Sequence, residues 1–279
     1  MKISVITPVY NAEKTIEKTI LSVINQKRGA PLEYIIIDGG STDKTLDIIN
    51  RYADKIDIVI SEKDNGVYDA MNKGISLATG DVIGIINSDD WYNDLALSTV
   101  EQAFLQNPDI SIVHSPVNNY AGKKYFSTFM PGDLEYLPFK MTIAHPSCFV
   151  KKQVYDQIGC FDLNYSMAAD YDFMLRAYAN GYKFHCVNNS LASFSLSGMT
   201  GMWANRLQLT KESWECTASF VNQYQPNLKN KHQIFYTKRY VNELILIPIK
   251  LIDPHIVIKV KGFIRQRFGK LSSDRYGAW

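Results

Sequence analysis

Residues 34–60 read YIIIDGGSTDKTLDIINRYADKIDIVI. An apolar, β-branched run, Tyr34–Asp38, stops at two glycines; helical spacing follows over Asp43–Tyr52, and a second β-branched run occupies Ile56–Ile60. A strand, a short Gly-rich connection, a helix and another strand make one βαβ unit. The same alternation extends to both sides. Ile3–Thr7, Val82–Ile86 and Ser111–His114 read as further strands, and Ala12–Gln26, Val67–Ala78 and Leu95–Gln106 as helices. In the helix over 67–78, Val67, Ala70, Met71, Ile75 and Ala78 share one stripe while Asp69, Asn72, Lys73 and Ser76 share another. Strand–helix alternation with short links implies right-handed crossovers and an α/β fold, a mostly parallel sheet flanked by helices.

The chain of 279 residues is 46% hydrophobic and 21% charged, which excludes a disordered or low-complexity polymer and predicts a sizeable core. Its net charge of +2 conceals an asymmetry: residues 229–279 carry a net of +8 and residues 1–228 a net of −6. The opening stretch MKISVITPVY reads as a buried strand rather than a leader, because Pro8 interrupts a short apolar run. No run reaches the length of a membrane span; Leu244–Ile249 is short and is followed by Lys250. Cys148, Cys160, Cys186 and Cys216 form no close pair, so buried free thiols in a reducing compartment are expected.

In parallel sheets, ligands bind beyond the carboxyl ends of the strands, and polar residues gather there: Pro8-Val9-Tyr10-Asn11, Asp38-Gly39-Gly40-Ser41-Thr42-Asp43 and Asn87-Ser88-Asp89-Asp90. Two adjacent carboxylates at the mouth of an apolar strand repel each other, and a few hard oxygen ligands suit Mg²⁺ or Mn²⁺ with phosphates completing the shell. The same residues equally suit a turn and helix start. The Asp38–Asp43 stretch suits an anion at a helix start, with Asp38 accepting hydrogen bonds from a base or ribose, or simply a tight capped turn. It is neither a G-x-G-x-x-G fingerprint nor a P-loop. Asp170 and Asp172 open a helical pattern through Asn180, where acidic residues are also ordinary partners of the helix dipole. His145, in Ala144-His145-Pro146-Ser147, reads by itself as a packed loop histidine.

Taken in order, Thr7-Pro8-Val9-Tyr10-Asn11, Ile37–Asp43, Asp64–Gly74, Asn87–Trp91 and Ala169–Asp172 resemble the motifs of family 2 glycosyltransferases over roughly residues 1–200. The closest likeness is to the Asp-Gly-Gly-Ser subgroup, similar to bacterial transferases of O-antigen, capsule and exopolysaccharide assembly. The resemblance implies a GT-A fold, inversion at the anomeric carbon, a nucleotide-sugar donor and a divalent metal. By it, Pro8, Tyr10 and Asp38 line the nucleobase pocket, Asn72 and Lys73 lie near the sugar-phosphate, Asp89 faces the ribose and donor sugar, Asp90 holds the metal and Asp170 is the general base. Many relatives carry Asp-Asp where this chain has Asp38-Gly39, so one base contact is missing. Where many carry an Arg-x-His metal ligand, this chain reads Phe194-Ser195-Leu196-Ser197-Gly198.

These readings combine into an inverting, metal-dependent hexosyl- or N-acetylhexosaminyl-transferase that uses a nucleotide-sugar, expected to be a UDP-sugar. Its expected acceptor is a polyprenyl-diphosphate-linked saccharide of a surface polysaccharide, with contacts in 118–165 including His145. The alternatives are a non-catalytic nucleotide-sugar binder or a sugar nucleotidyltransferase, although the latter lacks its Gly-rich basic loop. The expected organisation is a catalytic domain over 1–200, with a donor half (1–115) and an acceptor half (116–200), followed by a helical, basic extension over 201–279. Aromatic and basic residues across 235–270, such as Tyr240, Arg239, Lys259 and Phe263, suit an anionic membrane surface. A helix pair packed on the domain suits them too. A cytoplasmic protein peripheral to the inner face of the cell membrane, with no nucleic-acid partner, is expected.

Overall fold

The computed structural model describes residues 1–196 and 205–252, with side chains to residue 244. The first half alternates as β1 (Ile3–Val9), α1 (Ile16–Ile24), β2 (Leu32–Asp38), α2 (Thr45–Asn50), β3 (Ile58–Ser61), α3 (Val67–Leu77) and β4 (Val82–Ile85). Then come β5 (Trp91–Tyr92), α4 (Ala96–Gln106), β6 (Ile112–His114), β7 (Val117–Ala121), β8 (Lys124–Phe129), β9 (Phe149–Lys151), α5 (Lys152–Ile158), α6 (Ala169–Ala179), β10 (Phe184–Cys186) and β11 (Ala192–Ser195). The helices α7 (Arg206–Tyr224) and α8 (Lys229–Ile252) follow.

One sheet runs β10-β6-β9-β4-β1-β2-β3. It is parallel except at β9, which pairs antiparallel with both β4 and β6. The mostly parallel sheet expected from the alternation is present; the reversed strand β9 lies beyond that alternation and, at three residues, gives no readable period. A second sheet, β5-β11-β7-β8, starts directly after Asp90.

Strands buried on both faces require apolar residues at consecutive positions, which is why β1 and β2 read as near-continuous hydrophobic runs. Ile6, Ile35, Ile37, Ile83 and Ile85 face a core shared with α3, α6 and α7. Ile3, Val5, Tyr34, Ile36 and Val82 face the other, closed by α1, α2 and α4. Cys216, Phe220 and Val221 of α7 belong to the first of these cores, so this part of the C-terminal extension packs on the body that holds the sheet. α8 pairs with α7 through the His232–Thr217 hydrogen bond of 2.8 Å and the bidentate Arg206–Glu243 ion pair. The second half of the basic stretch read over 235–270, residues 253–270, lies outside the described residues, and no described helix is long and apolar enough to cross a membrane. All four cysteines are free, but the expectation that they are buried holds only for Cys148 and Cys216. Cys160 is half-buried and Cys186 is exposed, because β10 lies at the edge of the large sheet.

Candidate active site

The carboxyl ends of β1 and β2 are stitched together by their loops. Asn11, at φ 47°, gives its backbone N–H to Ser41 Oγ (2.8 Å), while its side-chain oxygen accepts from the Thr42 amide (2.8 Å). Gly40, at φ +83°, allows the β2 loop to fold back over Asp38. Pro8 is buried in β1 opposite Ile37, and Tyr10 projects from the rim, 62% exposed. Asp38 is fully buried; its Oδ2 accepts from the amides of Gly40 and Ser41 and from Ser61 Oγ, and its Oδ1 from Ser41 Oγ. Its carboxylate thus organises the loop that frames the rim.

The place beside Gly39 is taken. A Cβ there would stand 2.5 Å from Asp64 Oδ2, so the Asp64 carboxylate occupies the space a side chain at position 39 would need. In the sequence Asp64 falls in the Asp64–Gly74 motif but has no assigned partner, because its approach to Gly39 is a contact between distant loops. The two α3 residues expected near the sugar-phosphate have partners within the protein. The Asn72 amide donates to Phe161 O (2.9 Å) and accepts from Phe161 N (3.0 Å), and Lys73 pairs with Glu62 at 2.9 Å and Asp69 at 3.6 Å.

Beyond β4 the chain turns through Asn87–Asp90, with the Asp90 amide closing onto Asn87 O at 3.0 Å. Asp89 is half-buried; Asp90 is fully buried. Asp90 Oδ1 accepts the Ser195 amide at 2.9 Å, and its backbone carbonyl accepts Thr19 Oγ1 at 2.7 Å. Its Oδ2 and the neighbouring Asn87 Oδ1 have no hydrogen-bond partner among the described residues. Burial first, and the Asp89 charge second, push the Asp90 carboxyl well above the usual range; the Ser195 amide and the Asn87 side chain pull the other way. Burial raises Asp89 as well. An unpartnered buried carboxylate oxygen beside a second carboxylate is a donor set that a cation would satisfy. No cluster of three His, Cys, Asp or Glu ligands occurs among the described residues, so these carboxylates offer only part of a metal's coordination shell.

Asp170 is the second residue of α6. Its Oδ1 accepts from Tyr68 Oη (3.0 Å) and from the Tyr171 amide (2.9 Å), while no described residue donates to its Oδ2. Tyr68 lies in the first turn of α3 and is 8% exposed, its ring 5.5 Å from that of Phe161. Burial, reinforced by the Asp170 charge, pushes its phenol well up, which keeps it a donor. The stripe read on α3 omitted Tyr68, because an aromatic next to a strong apolar pattern carries no sign of a partner 102 residues away. His145 stacks edge-on against Phe161 at 5.8 Å; burial lowers its imidazole and the Asp170 charge opposes that. His145, Phe161, Tyr68 and Asp170 therefore form one cluster, with Asn72 clamping its Phe161 backbone.

The family model described as "Glycosyl transferase family 2" matches residues 4–160. A "PGL/p-HBAD biosynthesis glycosyltransferase" of Mycobacterium bovis is 32% identical over 182 residues, 63% of this chain and 70% of that protein. The amylovoran biosynthesis glycosyltransferase AmsB of Erwinia amylovora is 28% identical over 262 residues, 85% and 82% of the two chains. Among solved structures, S. aureus TarS 1-349 in complex with UDP-GlcNAc superposes with a TM-score of 0.64 at 18% identity, covering 87% of this chain and 72% of that one. The mannosyltransferase PcManGT from Pyrobaculum calidifontis, in complex with GDP-Man and Mn²⁺, gives 0.64 at 15% identity, covering 93% and 79%. At such identities the structural likeness speaks for the fold, and it is the GT-A arrangement that the motifs imply.

Proposed function

This chain belongs to the family 2 glycosyltransferases and is a glycosyltransferase, and from that premise we propose that it transfers a sugar from a UDP-sugar, with inversion, to a hydroxyl of a lipid-linked surface-polysaccharide unit. The observation that carries the chemistry is the asymmetry of Asp170: Oδ1 is held by Tyr68 and the Tyr171 amide, and Oδ2 carries no bond from a described residue. An oriented carboxylate with one committed oxygen is suited to general-base work by the other. In this reading Asp170 Oδ2 takes the proton of the acceptor hydroxyl as it attacks C1 of the donor sugar, and a single displacement inverts the anomeric centre. His145, whose imidazole is lowered by burial while the Asp170 charge opposes that, would hydrogen-bond the acceptor.

Asp89 and Asp90 would hold Mg²⁺ or Mn²⁺, and Asp90 Oδ2 is the atom whose missing partner supports that assignment. A divalent ion bound there would neutralise the charge developing on the departing nucleoside diphosphate. Pro8 and the exposed Tyr10 ring would meet the nucleobase, with Asp38 shaping the loop behind them and Asn72 and Lys73 bounding the sugar-phosphate side. Similarity to transferases solved with UDP-GlcNAc and GDP-Man supports a nucleotide-sugar donor, and similarity to AmsB supports a polysaccharide product. The basic residues of 235–270 would hold the enzyme against anionic lipid at the inner face of the cell membrane, about 1 kcal/mol per cation near the surface.

The test is Asp170→Asn. Titration calorimetry with UDP-sugar and Mn²⁺ should show donor binding unchanged, while UDP release on transfer falls by about 10²–10⁴-fold. Wild-type turnover by that variant would overturn the assignment of the base. A parallel screen of UDP- and GDP-sugars reads the donor directly; preference for GDP-sugars would replace the nucleotide and leave the mechanism in place.

A further inference from the structure

We infer that Glu212 of α7 is a positioning residue for Asp170, which makes the C-terminal helices part of the catalytic apparatus; the inference rests on the assignment of Asp170 as the base.

The first turn of a helix leaves amides without intrahelical acceptors, and the chain entering it is fixed only if something accepts from them. The residue before α6 is Ala168, which offers no side-chain cap. The acceptor comes from another helix. Glu212 is 3% exposed, and its Oε2 accepts from the amides of Met167 (2.7 Å) and Ala168 (3.1 Å). Its Oε1 accepts from Ser166 Oγ (2.6 Å) and Gln208 Nε2 (2.7 Å). Burial acts to raise its carboxyl, and the hydrogen bonds from Ser166, Gln208 and the Met167 backbone more than reverse this, leaving it below the usual range.

A helix–helix contact needs no charge, and burying one is costly unless it is fully hydrogen-bonded. Here the carboxylate is fully bonded, and three of its four donors lie on consecutive residues, 166–168, immediately ahead of the base. Two residues further on, Asp170 Oδ1 must meet the Tyr68 hydroxyl of α3 at 3.0 Å. The entry to α6 is thus pinned from α7 and the base from α3, and the direction of Oδ2 depends on both. The pin is rigid because Cys216, Phe220 and Val221 of α7 share a core with Ala168, Ala169, Phe173 and Leu175.

The experiment compares Glu212→Ala, Glu212→Gln, Asp170→Asn and the Glu212→Ala/Asp170→Asn double variant in the full chain, reading kcat by UDP release and donor Kd by calorimetry. Misplacing a reacting group by about 1 Å costs on the order of 100-fold, so Glu212→Ala should lower kcat by roughly 10- to 100-fold and leave donor Kd within about twofold. Glutamine keeps an oxygen for the two backbone amides and presents an amide that Ser166 Oγ and the Gln208 carbonyl can accept, so Glu212→Gln should restore most of the rate. In the Asp170→Asn background Glu212→Ala should cost nothing further, because it acts through the base. Should Glu212→Ala fail to fold, Glu212→Asp keeps the charge and shortens the reach; it should lower kcat about tenfold at unchanged donor Kd. Wild-type kcat in Glu212→Ala (or in Glu212→Asp), an additive loss in the double variant or a parallel loss of donor binding would overturn the inference. An inactive Asp170→Asn beside a fully active Glu212→Ala sinks this inference alone, whereas a fully active Asp170→Asn sinks the base assignment beneath it.

Discussion

Asp90→Asn should make the metal-free protein more stable while ending transfer. Asp90 Oδ2 and Asn87 Oδ1 are two buried acceptors, neither of which receives a hydrogen bond from a described residue. An amide at position 90 keeps an oxygen for the Ser195 N–H and turns the other group into a donor beside Asn87, and it removes the repulsion from Asp89 that now adds to the burial cost. Leaving a buried polar atom unsatisfied costs about 1–3 kcal/mol. Taking about 2 kcal/mol, and about 2–4 °C per kcal/mol for a chain approaching this size, the expected rise in Tm is about 4–8 °C. The assay is thermal unfolding at pH 7, first in EDTA and then with Mn²⁺ and UDP. The wild type should gain stability on adding Mn²⁺ and UDP, by the linkage of binding to folding, and the variant should gain much less. A lower Tm for Asp90→Asn in EDTA, or an undiminished Mn²⁺-dependent shift, would refute the reasoning that this carboxylate is kept at a cost to the fold.

Two further outcomes follow from the cores. Burial, with His185 as a lesser cause, pulls the His114 imidazole down to about 4, against about 6.5 in an unfolded chain. Between those pH values the unfolded chain binds a proton the folded one does not. Stability therefore rises with pH across this window, and about 3 kcal/mol is lost as pH falls through it; urea titrations from pH 4 to 7 should show a flatter dependence in His114→Asn, and equal slopes would contradict this. Gly84 lies opposite Phe149 in the β4–β9 pair, and a Cβ there would come within 2.4 Å of that ring and 2.8 Å of Tyr92 Oη. Gly84→Ala should lower stability by about 1–3 kcal/mol, read as a reduced urea midpoint at constant m; an unchanged midpoint would mean the aromatic pair yields freely.

The first 115 residues were legible because their elements announce themselves locally. Ile35 and Ile37 face one core while Tyr34 and Ile36 face the other, and that double burial is what writes a continuous apolar run into the sequence. The carboxylates at strand ends were found by the same logic, since placing them required only knowing where the strands stop. What escaped were relations between distant residues. The Tyr68–Asp170 bond, the Ser195 amide on Asp90 and the Glu212 acceptor for residues 166–168 each depend on chain crossings that no local period encodes. Strands β5 and β9, of two and three residues, are too short to carry a pattern and exist through their pairings. Asp38 shows a third kind of limit: the sequence gives a carboxylate at the right place but not whether its oxygens face outward or fold their own loop.

The hydrogen bonds by which Asn72 holds Phe161 run to the latter's backbone N–H and C=O. A latch that reads main chain is indifferent to the side chain it secures. The fastening of residue 161 to α3 is thereby separate from the packing of its ring, which is buried against Tyr68, His145 and Phe173, so a change of side chain at 161 should loosen the aromatic cluster and leave the joint in place. A chimera that exchanges this region needs to conserve the asparagine on α3 and the register of the loop for the joint, and an aromatic ring at 161 for the core.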